Sequence, residues 1–372
     1  MSEVSIPAIS LPNNAGHPNL PAESRMMAIP HGATATLNVI SFETETIHNV
    51  NIAPALRIQA ESEEPDKIYV KDMAIYSKDA FFPAEPFVMG NSYIRGVDAV
   101  TVSITPFQYN PVTKELKVFT NIELSVTFEG GNGHFGEDRL RSPYWDPILA
   151  AELMNYDQLP VIDYAARMQK WLRDGDKGAE YLIITPNNDA WAEYANQLRD
   201  YRTRQGILTE VYRLDEMPAN NTSQLKAWFH NAYNTWEIAP VAVCLLGDHG
   251  NNLGQNIPAE TTYHSDYYGN CITDNKYADA VGNDNLPDMV FSRLVAQNAS
   301  ELPVFVGKQI EYEYTNPNMN PSFYSRPITA LGWQTERWFQ LCSEVFGGYM
   351  RQKGYDTNRI NCIYDGTPGS IW

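Results

Sequence analysis

At 372 residues the chain is long enough for about two or three domains. Its 43% hydrophobic and 12% aromatic content supplies packed cores, and 19% charged residues is too few for a disordered chain. A formal net charge of -18 excludes nucleic acid as a partner, because its phosphates would be repelled.

No window approaches the ~20 consecutive apolar residues that span a bilayer. The opening Met1-Ser-Glu-Val-Ser-Ile6 has no basic stretch followed by an apolar run, so no signal peptide is expected within it. Residues 365–372 read as a loop leading into a further element, so the chain is expected to be part of a longer protein.

Residues 1–135 read as β structure. Alternation marks strands at 34–40, 98–104 and 121–128. Residues 114–119 follow the turn-prone Tyr109-Asn-Pro-Val-Thr113 and suggest a hairpin, and the regular spacing suggests a sandwich. Gly130-Gly-Asn-Gly133 is expected to break the domain. Helical patterns then occupy 147–154 and 164–172, before Asp174-Gly-Asp-Lys-Gly178 reads as an exposed linker. From Glu180 the pattern alternates. A fully apolar strand at 181–184 suits a parallel sheet covered on both faces. A helix over 190–205 ends at Gly206, where a residue free to adopt positive φ is favoured. A strand at 208–212, a helix over 223–235 capped by Thr222 or Ser223, and a strand at 241–246 complete a β-α-β-α-β unit. Another cycle begins at 328–331, with a helix near 336–352 and a strand at 360–364.

Four cysteines are too few for a disulfide framework at this length. Cys244 lies in an apolar run and reads as a buried, unreactive thiol; Cys271, Cys342 and Cys362 match no zinc spacing. The most pointed candidate site is Leu245-Leu-Gly-Asp-His-Gly250, because catalytic groups in open α/β sheets gather at the carboxyl ends of strands. His249 with Cys271 would make a thiolate–imidazole dyad; the other reading is a turn capped by Asp248 with Cys271 unrelated. The stretch from Asp266 through Asp274, Asp279 and Asp284 to Asp288 is rich in hard oxygen donors. It suits either a structural calcium or a set of capped turns, without the spacing of an EF-hand. Arg167, Lys170, Arg173 and Lys177 offer either a protease-sensitive basic segment or solvated helix faces.

Several stretches, in order along nearly the whole chain, resemble the gingipain family of cysteine peptidases. Ala15-Gly-His-Pro-Asn-Leu-Pro21 and Met27-Ala-Ile-Pro-His-Gly-Ala33 resemble the start of its propeptide. Arg141-Ser-Pro143 with Leu153-Met-Asn-Tyr-Asp-Gln-Leu-Pro160 resembles the propeptide's end. Ala179-Glu-Tyr-Leu-Ile-Ile-Thr-Pro186, Leu198-Arg-Asp-Tyr-Arg-Thr-Arg-Gln-Gly206, Leu286-Pro-Asp-Met-Val-Phe-Ser-Arg293 and Lys308-Gln-Ile-Glu-Tyr-Glu313 resemble the catalytic domain. The resemblance implies an all-β, propeptide-like sandwich (1–135), a propeptide end and linker (136–178), the first, non-catalytic half of a three-layer caspase-like domain (179–327), and the start of its second half (328–372). It also implies that the catalytic His and Cys lie beyond Trp372, which disfavours His249 and Cys271. An acidic assistant to the histidine is expected after 328–331, where Gln334 stands with Glu336 nearby.

The function that follows is part of an extracellular or cell-surface cysteine endopeptidase zymogen, with protein or peptide substrates, a propeptide acting in cis, no cofactor for catalysis, no nucleic acid and no membrane span. A non-catalytic binding or inhibitory protein is the alternative. A complete small hydrolase built on His249 and Cys271 is a third.

Overall fold

In the computed structural model, residues 1–361 are described apart from 8, 10, 57–68, 176–177, 219, 265–268, 315–320, 332–337 and 357. Two antiparallel sheets build the N-terminal module. One joins β1 (Glu23–Ala28), β4 (Val97–Ile104) and β3 (Phe87–Ile94) in the order β1-β4-β3; the other joins β2 (Ala33–Ile47), β6 (Glu115–Gly130) and β5 (Phe107–Asn110) in the order β2-β6-β5. Phe87 of the first sheet meets Phe42 and Phe119 of the second, with ring centroids 6.0 and 5.5 Å away. Edge-to-face and tilted arrangements of this kind add to the area that the rings bury. A four-residue helix, α1 (Met73–Tyr76), delivers Tyr76 to a small core with Leu20, Ile52, Tyr109 and Leu116.

The expected strands at 114–119 and 121–128 are one continuous strand, β6. Asn121 takes φ +50°, and β2 shifts register opposite it between Val39 and Glu43, so an irregularity absorbs the break that the sequence suggested. The hairpin of 109–119 joins β5 to β6. Gly130, Gly131 and Gly133 all adopt positive φ, and their segment is hydrogen-bonded back to His31, through Asn132 N to His31 O and His31 N to His134 O.

Helices α2 (Asp146–Glu152) and α3 (Tyr164–Asp174) follow. Arg141 forks onto Asp146 at 2.7 and 2.9 Å, and the Tyr164 hydroxyl donates to the same carboxylate at 2.6 Å. This knot fixes the two helices relative to each other.

The α/β module is a four-stranded, all-parallel sheet in the order β14-β9-β7-β8. Its strands are β7 (Tyr181–Thr185), β8 (Thr209–Arg213), β9 (Ala242–Leu246) and β14 (Val290–Leu294). The period of two sorts its apolar strands onto two faces. Leu182, Ile184, Val243 and Leu245 pack against α5 (Thr222–Thr235), while Ile183, Cys244 and Leu246 pack against α4 (Asp189–Arg204) and α7 (Leu302–Tyr314). This is the three-layer arrangement expected. The cap of α5 is not Thr222 or Ser223 but Asn221, which accepts from Gln224 N at 2.9 Å; Asn188 caps α4. Gly206, at φ +87°, closes α4 as expected.

Short pairs decorate the carboxyl edge: β10 (Asp248–His249) with β11 (Asn256–Ile257), and β12 (Glu260–His264) with β13 (Gly269–Thr273), beside α6 (Asn275–Ala278). After α8 (Pro321–Ser325), β15 (Ile328–Leu331) and β16 (Asn358–Asn361) pair in parallel around α9 (Trp338–Gln352) as a separate two-stranded sheet. The expected strand at 360–364 falls mostly outside the described residues.

Candidate functional site

The loop at the carboxyl end of β9 is the chemically richest part of the α/β module. The chain leaves the sheet at Gly247, whose amide donates to Leu294 O at 3.0 Å, and Asp248 N donates to Ala296 O at 3.0 Å. Arg293 of β14 fastens the loop from beneath. Its guanidinium donates to Gly247 O and Ile257 O at 3.1 Å each and forks onto Asp274 at 2.8 and 3.0 Å. A largely buried bidentate pair of this type sets geometry more than it adds stability. The sequence reading did not single out this pair. Its signal was an arginine on a strand that is otherwise suited to burial.

On this platform Asp248 accepts from the His249 amide at 2.7 Å, and lies 3.1 Å from the His249 Nδ1. The imidazole is half-exposed, with the Asp248 carboxylate as its neighbour. Cys271 sits on β13 opposite Thr262, on a different strand pair. Among the described residues, no hydrogen bond joins His249 to Cys271. Nucleophile and base must lie within hydrogen-bond reach for proton transfer, a condition that apo sites often meet loosely. Here the two side chains stand on separate ribbons.

Cys244 is 1% exposed, and burial pushes its thiol up to about 11, so at neutral pH it stays protonated and inert. Cys342 is exposed on α9. Cys362, Gln334, Glu336, Asp266 and Lys177 lie outside the described residues.

The acidic stretch is used locally. Asp288 accepts from the Ala280 and Val281 amides at 2.8 Å each, Asp279 from Asn285 N at 3.1 Å, and Asp284 from Leu286 N at 2.9 Å. Among the described residues, no three His, Cys, Asp or Glu side chains are grouped to hold a metal ion. These carboxylates cap turns.

The basic segment is also partly committed. Arg167 donates to Arg141 O at 2.7 Å and Asp138 O at 2.8 Å, and Lys170 pairs with Glu237 at 2.7 Å. Lys170 and Arg173 are both exposed, Arg173 the more so, with its neighbour Asp174 as partner. No described helix is long and apolar enough to cross a membrane.

Comparison with known proteins bears on this arrangement. The family model for the C25 propeptide matches residues 3–139, and that for peptidase family C25 matches residues 174–359. Lys-gingipain of Porphyromonas gingivalis is 28% identical over 330 residues, which is 84% of this chain and 18% of that protein. Gingipain R2 of the same species is 26% identical over 304 residues, covering 80% of this chain and 38% of its own length. The chain thus spans well under half of the curated relatives it matches. A solved complex of the P. gingivalis RgpB pro- and mature domains is 31% identical, with a TM-score of 0.33, and covers 38% of this chain and 74% of that one.

Proposed function

Because the chain belongs to peptidase family C25, the gingipain family, we propose that it carries the propeptide and the first, non-catalytic half of the catalytic domain of a secreted cysteine endopeptidase zymogen. The observation that carries this reading is the succession within one chain of a propeptide match over 3–139 and a peptidase match over 174–359. A second feature supports it: α9 leaves Val345, Phe346 and Tyr349 exposed beside a sheet that has two strands among the described residues. Apolar surface of this kind is suited to cover by further structure.

In this reading the thiolate and the imidazole come from sequence outside residues 1–372. The thiolate would attack the scissile carbonyl carbon, and the C–N bond would break as the imidazolium gives its proton to the leaving amine. Water would then hydrolyse the thioester and restore the thiol. Residues 1–372 contribute the platform against which that half packs, and the propeptide that keeps it latent. The proposal includes a location outside the cell, where the chain's net charge of -18 favours solubility.

A second reading, a non-catalytic binding or inhibitory protein, is favoured by the N-terminal module's own core around Tyr109 and the one it shares with Leu149 of α2. Sequencing the source DNA past the codon for Trp372 separates the two. A His-Gly pair followed by a strand ending in cysteine supports the peptidase; a stop codon directly after Trp372 contradicts it and supports the inhibitor.

A further inference from the structure

Arg95 stands at the tip of the β3–β4 hairpin, where it and Gly96 take φ of +45° and +78°. The turn is tight because Gly96 lies against Leu140, where a Cβ would come within 2.5 Å of the Leu140 side chain. A charged residue at a hairpin tip is ordinarily solvated. Arg95 is instead 4% exposed.

Its guanidinium donates to three carbonyls: Leu140 O at 3.0 Å, Asp288 O at 2.8 Å and Pro240 O at 3.0 Å. It also lies over the rings of Tyr233, 4.9 Å from the centroid, and Trp145, at 5.4 Å. Leu140 and Trp145 belong to the segment that follows the β sheets. Pro240, Asp288 and Tyr233 belong to the α/β module, so one side chain of the N-terminal sheets is gripped across the junction. Burial lowers its pKa from the ordinary arginine value, and the nearby Asp288 carboxylate favours the charged form. Such a charge is costly to bury without this full set of acceptors.

The location gives the contact its meaning. Pro240 precedes β9 and Asp288 precedes β14, so the grip is at the amino edge of the parallel sheet. His249 and the Arg293-held loop are at the carboxyl edge, where such folds place their ligands. Arg139 reinforces the amino edge by donating to Tyr233 O, and Leu140 enters the core of the α/β module.

We propose that Arg95 is the noncovalent anchor that holds the propeptide to the first catalytic half after the chain between them is cut, at a surface remote from the carboxyl-edge loops. This rests on reading residues 1 to about 178 as the propeptide. Retention and any blockade of an active site are then separable properties of one propeptide.

The test inserts a specific protease recognition sequence after Gly175 in the full 372-residue chain. The protein is cut, and association of the two pieces is measured by size-exclusion chromatography and by surface-immobilised binding. The wild-type pieces are expected to co-elute at micromolar concentration. Arg95→Ala is expected to weaken association on the order of 100-fold, as for a buried arginine anchor. Arg95→Lys should fall between, because an ammonium group cannot serve three separated carbonyls in the plane of a guanidinium. Separation of the wild-type pieces on cutting overturns the anchor, as does unchanged affinity in Arg95→Ala. Should Arg95→Ala lose its circular dichroism before cutting, Arg95→Lys decides, and unchanged affinity there overturns the proposal. A failure of the peptidase assignment would show in the downstream sequence and leave these affinities as measured, so the two failures are distinguishable.

Discussion

Glu180 immediately precedes β7, with 3% of its surface exposed and the Leu208 amide donating to it at 3.2 Å. Burial raises its pKa above the ordinary glutamate value, outweighing the Leu208 hydrogen bond and the nearby Arg167 and Arg95 charges. A carboxyl raised in the folded state binds its proton more tightly there than in the unfolded chain. The associated stability is fully present below the unfolded pKa and is lost as pH rises through the folded one. Glu180→Gln, neutral throughout and still able to accept from Leu208, should therefore melt higher than wild type at pH 7. It should also show a shallower decline from acidic to neutral pH. Calorimetry across that range checks this, and equal melting temperatures at pH 7 would contradict it.

Single residues were unevenly legible in the sequence. Cys244 could be read as inert because the apolar run around it announced a doubly covered strand. His249 and Cys271 could be paired on paper because His249 stands just past a strand end and Cys271 follows soon after in the chain, yet their pairing depends on which ribbons the loop forms. Arg95 carried no such signal. Its burial comes from carbonyls 45 to 193 positions further along the chain, and local pattern does not encode partners at that separation.

At the scale of elements, periodicity found the strands and helices whose burial is regular. It mislaid those set by longer-range contacts. The strands β7, β8 and β9 and their helices stand where strand and helical patterns put them, whereas β14 and α7 were seen only as stretches resembling the family. Each of the two helices starts one residue earlier than its periodicity suggests, behind an asparagine, Asn188 or Asn221, whose side-chain oxygen satisfies a free amide of the first turn. Such a cap contributes about 1 kcal/mol.

The basic stretch behaves differently along its length. Arg167 and Lys170 hold α3 against the body, while Arg173 projects at the helix end before Gly175 turns away at φ +76°. Limited trypsin digestion should therefore cut after Arg173 before it cuts after Arg167. Mass spectrometry of early fragments reads the order. A first cut after Arg167, or one within residues 97–128, would contradict the docked α3.

At the scale of the molecule, two modules with separate cores are joined by the 138–178 segment, the Arg95 hairpin and the Leu140 side chain, all at the amino edge of the sheet. The carboxyl edge carries a loop built by Arg293 and Asp274 that has an imidazole but no thiol joined to it. The propeptide and the parallel sheet were legible from the sequence because motif order over a long chain resists chance. The interlock was not, because it is made of single side chains meeting backbone carbonyls.

If, as proposed, residues 1–372 hold the propeptide and the non-catalytic half of a cysteine peptidase, the purified chain has no peptidase activity of its own. Incubating the purified chain with a broad library of fluorogenic peptides and a thiol reductant tests it most directly. The account predicts no turnover above buffer, before or after cutting behind Gly175, and no difference between wild type and Cys271→Ala. Turnover that Cys271→Ala or His249→Ala abolishes would contradict it and establish the dyad in its place.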